Sequence, residues 1–325
     1  MTIKAALCGL GRWGERLIDA VRGSDKLRFV AGVTRDPDSH RDLAARAGIA
    51  LIADYGAALR DPGIDAVVLA TPHSRHHQQI VEAARAGKHV FTEKPLTLTR
   101  ASAQDAVDAC RRAGVTLGLG FNRRYAPAFV EMMHRIRAGE IGEVLHVEGQ
   151  FSGPTGYRLK AGNWRATRAE APGGGMTARG IHTLDAMIQI GGLVSTVYAH
   201  SDRRKLPADI DIDDTTSMLL RFESGVTGYL ATIFVTGEFW RVHAFGTGGW
   251  LEMRGDTELV ACALEGAPQT VSLPKADKER AVLEAFADAV AAGKPFMVPP
   301  EEAVNGIAVL EAIVASAGSG KPVRI

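Results

Sequence analysis

Ile3 to Cys8 is a largely apolar run that opens directly onto Gly9-Leu10-Gly11-Arg12-Trp13-Gly14, and Leu17, Ile18 and Val21 follow at helical spacing. Strand, G-x-G-x-x-G and helix in that order leave few folds open; they predict the first βα unit of a doubly wound parallel sheet. Gly9 suits the tight turn, Gly11 lets backbone approach a pyrophosphate, and Gly14 lets the helix pack closely on the strand. The pyrophosphate would sit on the positive end of the helix dipole. All six residues of the turn, Leu10, Arg12 and Trp13 included, are therefore expected at a bound dinucleotide.

The alternation continues for about 120 residues, giving an expected dinucleotide-binding domain over 1–121. A strand over Leu27 to Val33 ends at Thr34-Arg35, close to where an acidic residue would accept the 2′-hydroxyl of NAD. A hydroxyl beside a guanidinium suits a 2′-phosphate instead, so the expectation is NADP in preference to NAD. The other reading leaves Arg35 on the surface and turns Asp36 toward the ribose. Further helices are expected at Ser39 to Ala47, Gly56 to Arg60, His76 to Ala86 and Thr99 to Arg112. Strands are expected near Ala50, at Ile64 to Ala70 (running into Thr71-Pro72-His73), at Lys88 to Phe91 and at Val115 to Leu119. The Lys88 to Phe91 strand exits through Glu93-Lys94-Pro95, which puts Lys94 at a carboxyl strand end, where open α/β sheets bind ligands. A solvated lysine at a loop edge is the alternative.

From residue 122 the texture changes, and 122–325 reads as a second, α+β domain. A helix over Pro127 to Ala138 precedes an alternating strand at Val144 to Phe151. Strands at Leu193 to Ser201, Asp214 to Phe222, Val226 to Phe234, Arg241 to Phe245, Trp250 to Arg254 and Leu259 to Leu264 are joined by glycine-bearing turns. That pattern predicts a large, mostly antiparallel open sheet, with helices near Thr183 to Gln189, Glu279 to Ala292 and Glu301 to Ser316. Between the first strand and the rest lies a glycine-rich excursion, Ser152 to Gly175, carrying Tyr157, Arg158, Lys160, Asn163, Trp164 and Arg165. It reads as a binding loop or as a surface loop anchored by Trp164. His182 and Asp185, three apart at a helix start, share a face.

A formal net charge of +1 gives no electrostatic footprint for nucleic acid or an anionic membrane, so neither partner is expected. Cys8, Cys110 and Cys262 are scattered without metal-ligand spacing, so no metal is expected and a reducing compartment is. No run is long enough to span a bilayer and the N-terminal flank is wrong for a signal peptide, so a cytoplasmic chain is expected.

The ordered set GLGRWG, ATPHSRH, AGKHVFTEKPL and GFNRRY resembles the glucose–fructose oxidoreductase / inositol dehydrogenase family, Gfo/Idh/MocA. The resemblance implies a nicotinamide-dependent oxidoreductase that acts on a secondary alcohol of a sugar, cyclitol or related polyol. By that resemblance Lys94 touches nicotinamide side and substrate hydroxyl, with a cis bond expected before Pro95, and His182 takes the hydroxyl proton. It also implies cofactor contacts at Thr71, Pro72, His73, His76, Glu93, Lys94 and Pro95. Substrate contacts are expected at Lys94, Arg124, Trp164, Arg165, His182 and Asp185, at Tyr157 as part of the excursion, and at Arg179 where the chain departs from the family pattern. A homodimer or homotetramer through the second sheet is implied as well. The chain departs from the family pattern at Ala178, where an Asp is usual, and at His73, where Asn is frequent. Ala178 leaves open a dihydrodiol or a cyclic carboxylate as substrate, its carboxylate paired by Arg179 or Arg165, and the missing carboxylate also leaves open a non-catalytic NADP-binding regulator.

Overall fold

Short apolar runs become strands here because helices cover both of their faces. The computed structural model describes residues 1–325. Its first part alternates β1 (Ile3–Cys8), α1 (Arg12–Ala20), β2 (Leu27–Val33), α2 (Arg41–Ala47), β3 (Ala50–Ile52), α3 (Tyr55–Arg60), β4 (Ala66–Leu69), α4 (His73–Arg85), β5 (His89–Thr92), α5 (Arg100–Ala113) and β6 (Leu117–Leu119). Every ladder of this sheet is parallel, in the order β3-β2-β1-β4-β5-β6. The order reverses between β1 and β4, the switch point where such sheets open a crevice at their carboxyl ends. Helix α4 starts about a turn earlier than expected, because its polar first turn carries no apolar periodicity.

The second part runs α6 (Pro127–Arg137), β7 (Val144–Ser152), α7 (Ile181–Gly191), β8 (Val194–Asp202), β9 (Thr215–Phe222), β10 (Thr227–Ile233), β11 (Phe239–Gly246), β12 (Gly249–Arg254), β13 (Glu258–Ala263) and β14 (Gln269–Ser272). Then come α8 (Lys278–Ala292), α9 (Pro300–Ser319) and β15 (Val323–Arg324). Nine strands form one sheet, β14-β13-β12-β11-β7-β10-β9-β8-β15, antiparallel except where β7 meets β10. The edge strands β14 and β15 escape sequence reading because they are short and lack alternation. Alternation sends Val147 and Phe151 of β7 and Trp240, Val242 and Ala244 of β11 to the covered face, where α7 packs. A π-helical turn, Met176–Gly180, leads into α7, and such turns recur at functional sites.

Two compact units result: 1–97 with 101–122 and 277–300, and 98–100 with 123–276 and 301–325. The expected second domain therefore gives up 277–300 to the first unit. The reason is apolar cover: Phe286 of α8 meets Phe91 of β5 at 5.6 Å between ring centroids, and Phe296 lies 6.5 Å from Phe91. No helix is long and apolar enough to cross a membrane.

Candidate active site

In the first unit, the carboxyl ends of β1, β2, β4 and β5 bring together the residues expected at a dinucleotide. Gly9 has φ +97, a conformation that side-chain-bearing residues resist, and a Cβ on Gly14 would strike the Gly9 carbonyl. At Gly11 an added Cβ would meet nothing within 4 Å, and no side chain caps the first turn of α1. Uncapped first-turn N–H groups and open space above a glycine are what a pyrophosphate requires. A cavity of about 530 Å³ adjoins this turn, lined by Arg12, Trp13, Arg16, Asp277 and Glu279 among others. The dinucleotide fits what the residues present.

At the β2 exit Thr34 is half-buried and Arg35 is exposed, with no ion pair of its own. Asp36 is drawn into a local turn: its N–H donates to Thr34 Oγ1 at 3.3 Å and its carboxylate accepts from the Ser39 N–H at 3.3 Å. At the β4 exit Thr71 donates to Gln79 at 2.6 Å, and Pro72 leads into α4. His76 is fully buried, with Nδ1 2.8 Å from the Pro95 carbonyl and Nε2 3.2 Å from the Thr71 carbonyl. His76 thus stands between the Thr71 and Pro95 loops, with a backbone carbonyl at each ring nitrogen. His73, also buried, packs edge-on against it.

At the β5 exit the Lys94–Pro95 bond is cis. Lys94 is half-buried, and Glu93 is buried with its carboxylate flat against Gly120. Burial pushes the Glu93 carboxyl above the usual range, opposed by the Trp13 indole and the Lys94 ammonium. Sequence reading missed a second buried carboxylate here. Glu279, in the first turn of α8, accepts from Arg16 at 3.0 Å and from Asn122 at 3.2 Å. Its helical periodicity was visible, but nothing in it pointed to this turn.

In the second unit His182 sits in the first turn of α7, 8% exposed, with its ring 6.3 Å from that of Phe151. Asp185 and Arg124, both expected at the substrate, are joined instead in a buried bidentate pair at 2.9 and 2.7 Å, with Glu302 on the same guanidinium at 2.6 Å. Arg179 is likewise committed. It donates to Thr155, to the Ser152 carbonyl and to Glu238 at 2.7 Å, and its guanidinium lies over Phe151 at 4.8 Å. Tyr157, Trp164 and Arg165 ride on the excursion, which is pinned by a small apolar cluster of Ala166, Ala171, Leu206, Ile210, Ile212 and Phe234. There Tyr157 is 67% exposed and donates to the Val235 carbonyl at 2.9 Å. Arg165 stacks over the Trp164 ring at 4.0 Å.

A family model described as "Oxidoreductase family, NAD-binding Rossmann fold" matches residues 3–121, and the GFO/IDH/MocA C-terminal domain matches residues 129–252. The chain is 33% identical over 236 residues to a scyllo-inositol 2-dehydrogenase (NAD(+)) of Bacillus subtilis (strain 168), a match that spans 70% of this chain and 66% of that protein. It is 30% identical to a D-xylose 1-dehydrogenase (NADP(+)) of Haloferax volcanii, across 90% of both chains. Among solved structures, the aldose-aldose oxidoreductase of Caulobacter crescentus superposes with a TM-score of 0.90 at 25% identity, covering 100% of each chain.

Proposed function

From the chain's place in the Gfo/Idh/MocA oxidoreductase family, to which it belongs, we propose that it is an NAD(P)-dependent oxidoreductase of a secondary alcohol on a sugar, cyclitol or related cyclic polyol. The observation that carries this reading is Lys94, half-buried at the cis-proline exit of β5, on the same sheet edge as the uncapped glycine turn. Bound NAD(P) supplies the hydride acceptor. Lys94 polarises the reacting oxygen as a point charge, and His182 accepts its proton, returning it in the reverse direction. An imidazole suits that exchange because it titrates near neutral pH.

NADP is the preferred cofactor in this reading, since Arg35 is exposed without an ion pair while the Asp36 carboxylate is engaged by Ser39. Arg179 is less suited to a substrate carboxylate than Arg165, because Arg179 already pairs with Glu238 at 2.7 Å. A neutral polyol leads. The outward face of the nine-stranded sheet, where Leu219 is 58% exposed, supports self-association into a homodimer or homotetramer, which light scattering would test. Three free cysteines suit the cytoplasm.

The deciding experiment follows nicotinamide absorbance with NADP and NAD against sugars and cyclitols. Turnover that vanishes in His182→Ala and in Lys94→Ala, with NADPH binding kept in His182→Ala, supports the enzyme. NADPH binding without turnover on any ring would overturn the polyol reading.

A further inference from the structure

The second unit holds a cavity of about 430 Å³ where β7 ends, β11 begins and β12 turns into β13, within the size range that holds small ligands. Of its lining only Arg123, within GFNRRY, lies in a motif the sequence marked, and none was expected as a site residue. Phe151 is a neighbour of His182 as well as part of the lining: its ring centroid lies 6.3 Å from that of the imidazole and 5.7 Å from that of Trp240. Phe239, at its mouth, is 46% exposed. Trp240, 7% exposed, contributes to its lining, with its indole N–H buried inside the protein.

The charges around the cavity are already matched. Arg123 pairs with Asp256 at 2.7 Å and stacks over Phe151 and Trp240; Arg254 pairs with Glu252 at 2.6 Å; Glu238 pairs with Arg179 at 2.7 Å. A ligand would bring no charge for this site to neutralise. What remains are carboxylate lone pairs of Glu238, Glu252 and Asp256 that accept from hydroxyls, and the exposed Phe239 ring for C–H groups. That combination fits a neutral sugar ring.

We propose that this cavity is a subsite for a second sugar ring, so that the substrate class is a neutral disaccharide or glycoside, oxidised on the ring nearer His182. The proposal rests on the oxidoreductase reading for its chemistry and on the cavity alone for its binding. The test measures kcat/KM with NADP for glucose, maltose, cellobiose and trehalose, alongside calorimetric titration of each sugar into the NADPH-loaded chain. At least one disaccharide should exceed glucose in kcat/KM by about tenfold. Phe239→Ala should cut that ratio by roughly fivefold while its NADPH affinity reports an intact fold. Equal kcat/KM for hexose and disaccharides, or a ratio that Phe239→Ala leaves intact, overturns the subsite. If no sugar turns over, the oxidoreductase reading fails and calorimetry decides the subsite separately. Disaccharide binding weakened by Phe239→Ala then upholds it, and absence of disaccharide binding rejects it.

Discussion

Arg35 and Arg124 are both arginines that sequence reading sent to a ligand, and their surroundings give them opposite parts. Arg35 stands exposed at the end of β2 without an ion pair, so removing it disturbs no packing. Arg35→Ala is expected to weaken NADP binding about tenfold, roughly 1.4 kcal/mol, while NAD binding changes little; fluorescence titration with both nucleotides checks this. Equal losses for both would sink the phosphate role. Arg124, by contrast, is 4% exposed between Asp185 and Glu302. Arg124→Met would strand two carboxylates, and urea unfolding should report a loss of about 3–5 kcal/mol. Adding Asp185→Leu should recover part of it, since the pair and not the cation alone is what the fold has adapted to. Sequence reading put His182 at a helix start, and it stands in the first turn of α7. It did not foresee the protein partners of Arg124, Arg179 and His76, because a charge or ring in a string of letters does not say which carbonyl or carboxylate faces it.

The strand pair β5–β6 shows how an element can titrate. His89 opens β5, and its Nδ1 accepts the Thr116 N–H at 3.0 Å, a bond that only the neutral ring can receive. Burial holds the His89 pKa below its ordinary value of 6.5, with Asp65 opposing. The folded chain thus prefers the neutral ring. Its contribution to stability is complete above about 6.5 and is lost as pH falls toward the lowered folded value. Urea midpoints between pH 8 and pH 5 should decline on the acid side, and His89→Gln, which keeps an acceptor without a proton to gain, should flatten part of that decline. An unchanged slope would remove His89 from the account. Most elements were legible because buried strands and amphipathic helices print their period. The π-helical turn at Met176–Gly180 and the edge strands β14 and β15 were not, since their placing depends on partners distant in sequence.

At the scale of the whole molecule, neither unit is one stretch of chain. The first needs 277–300, whose Phe286 and Phe296 cover β5. A fragment of residues 1–122 should accordingly fail to bind NADPH and should expose apolar surface to a hydrophobic dye, whereas the same fragment linked to 277–300 should bind. Nucleotide binding by 1–122 alone would count against that account. The composition of the first unit also sets an order of events during synthesis. The parallel sheet leaves the ribosome first, but its last covering helix follows only after β7 to β14 have been made. Folding domain by domain from the N-terminus, the usual course for a chain of this size, is closed to it. Nascent chains halted before residue 277 should keep a protease-sensitive first unit, and protection should appear only once residue 300 has cleared the exit tunnel. For that interval the earliest-made part of the protein has β5 uncovered by Phe286 and Phe296, although it carries the most regular sequence pattern in the chain.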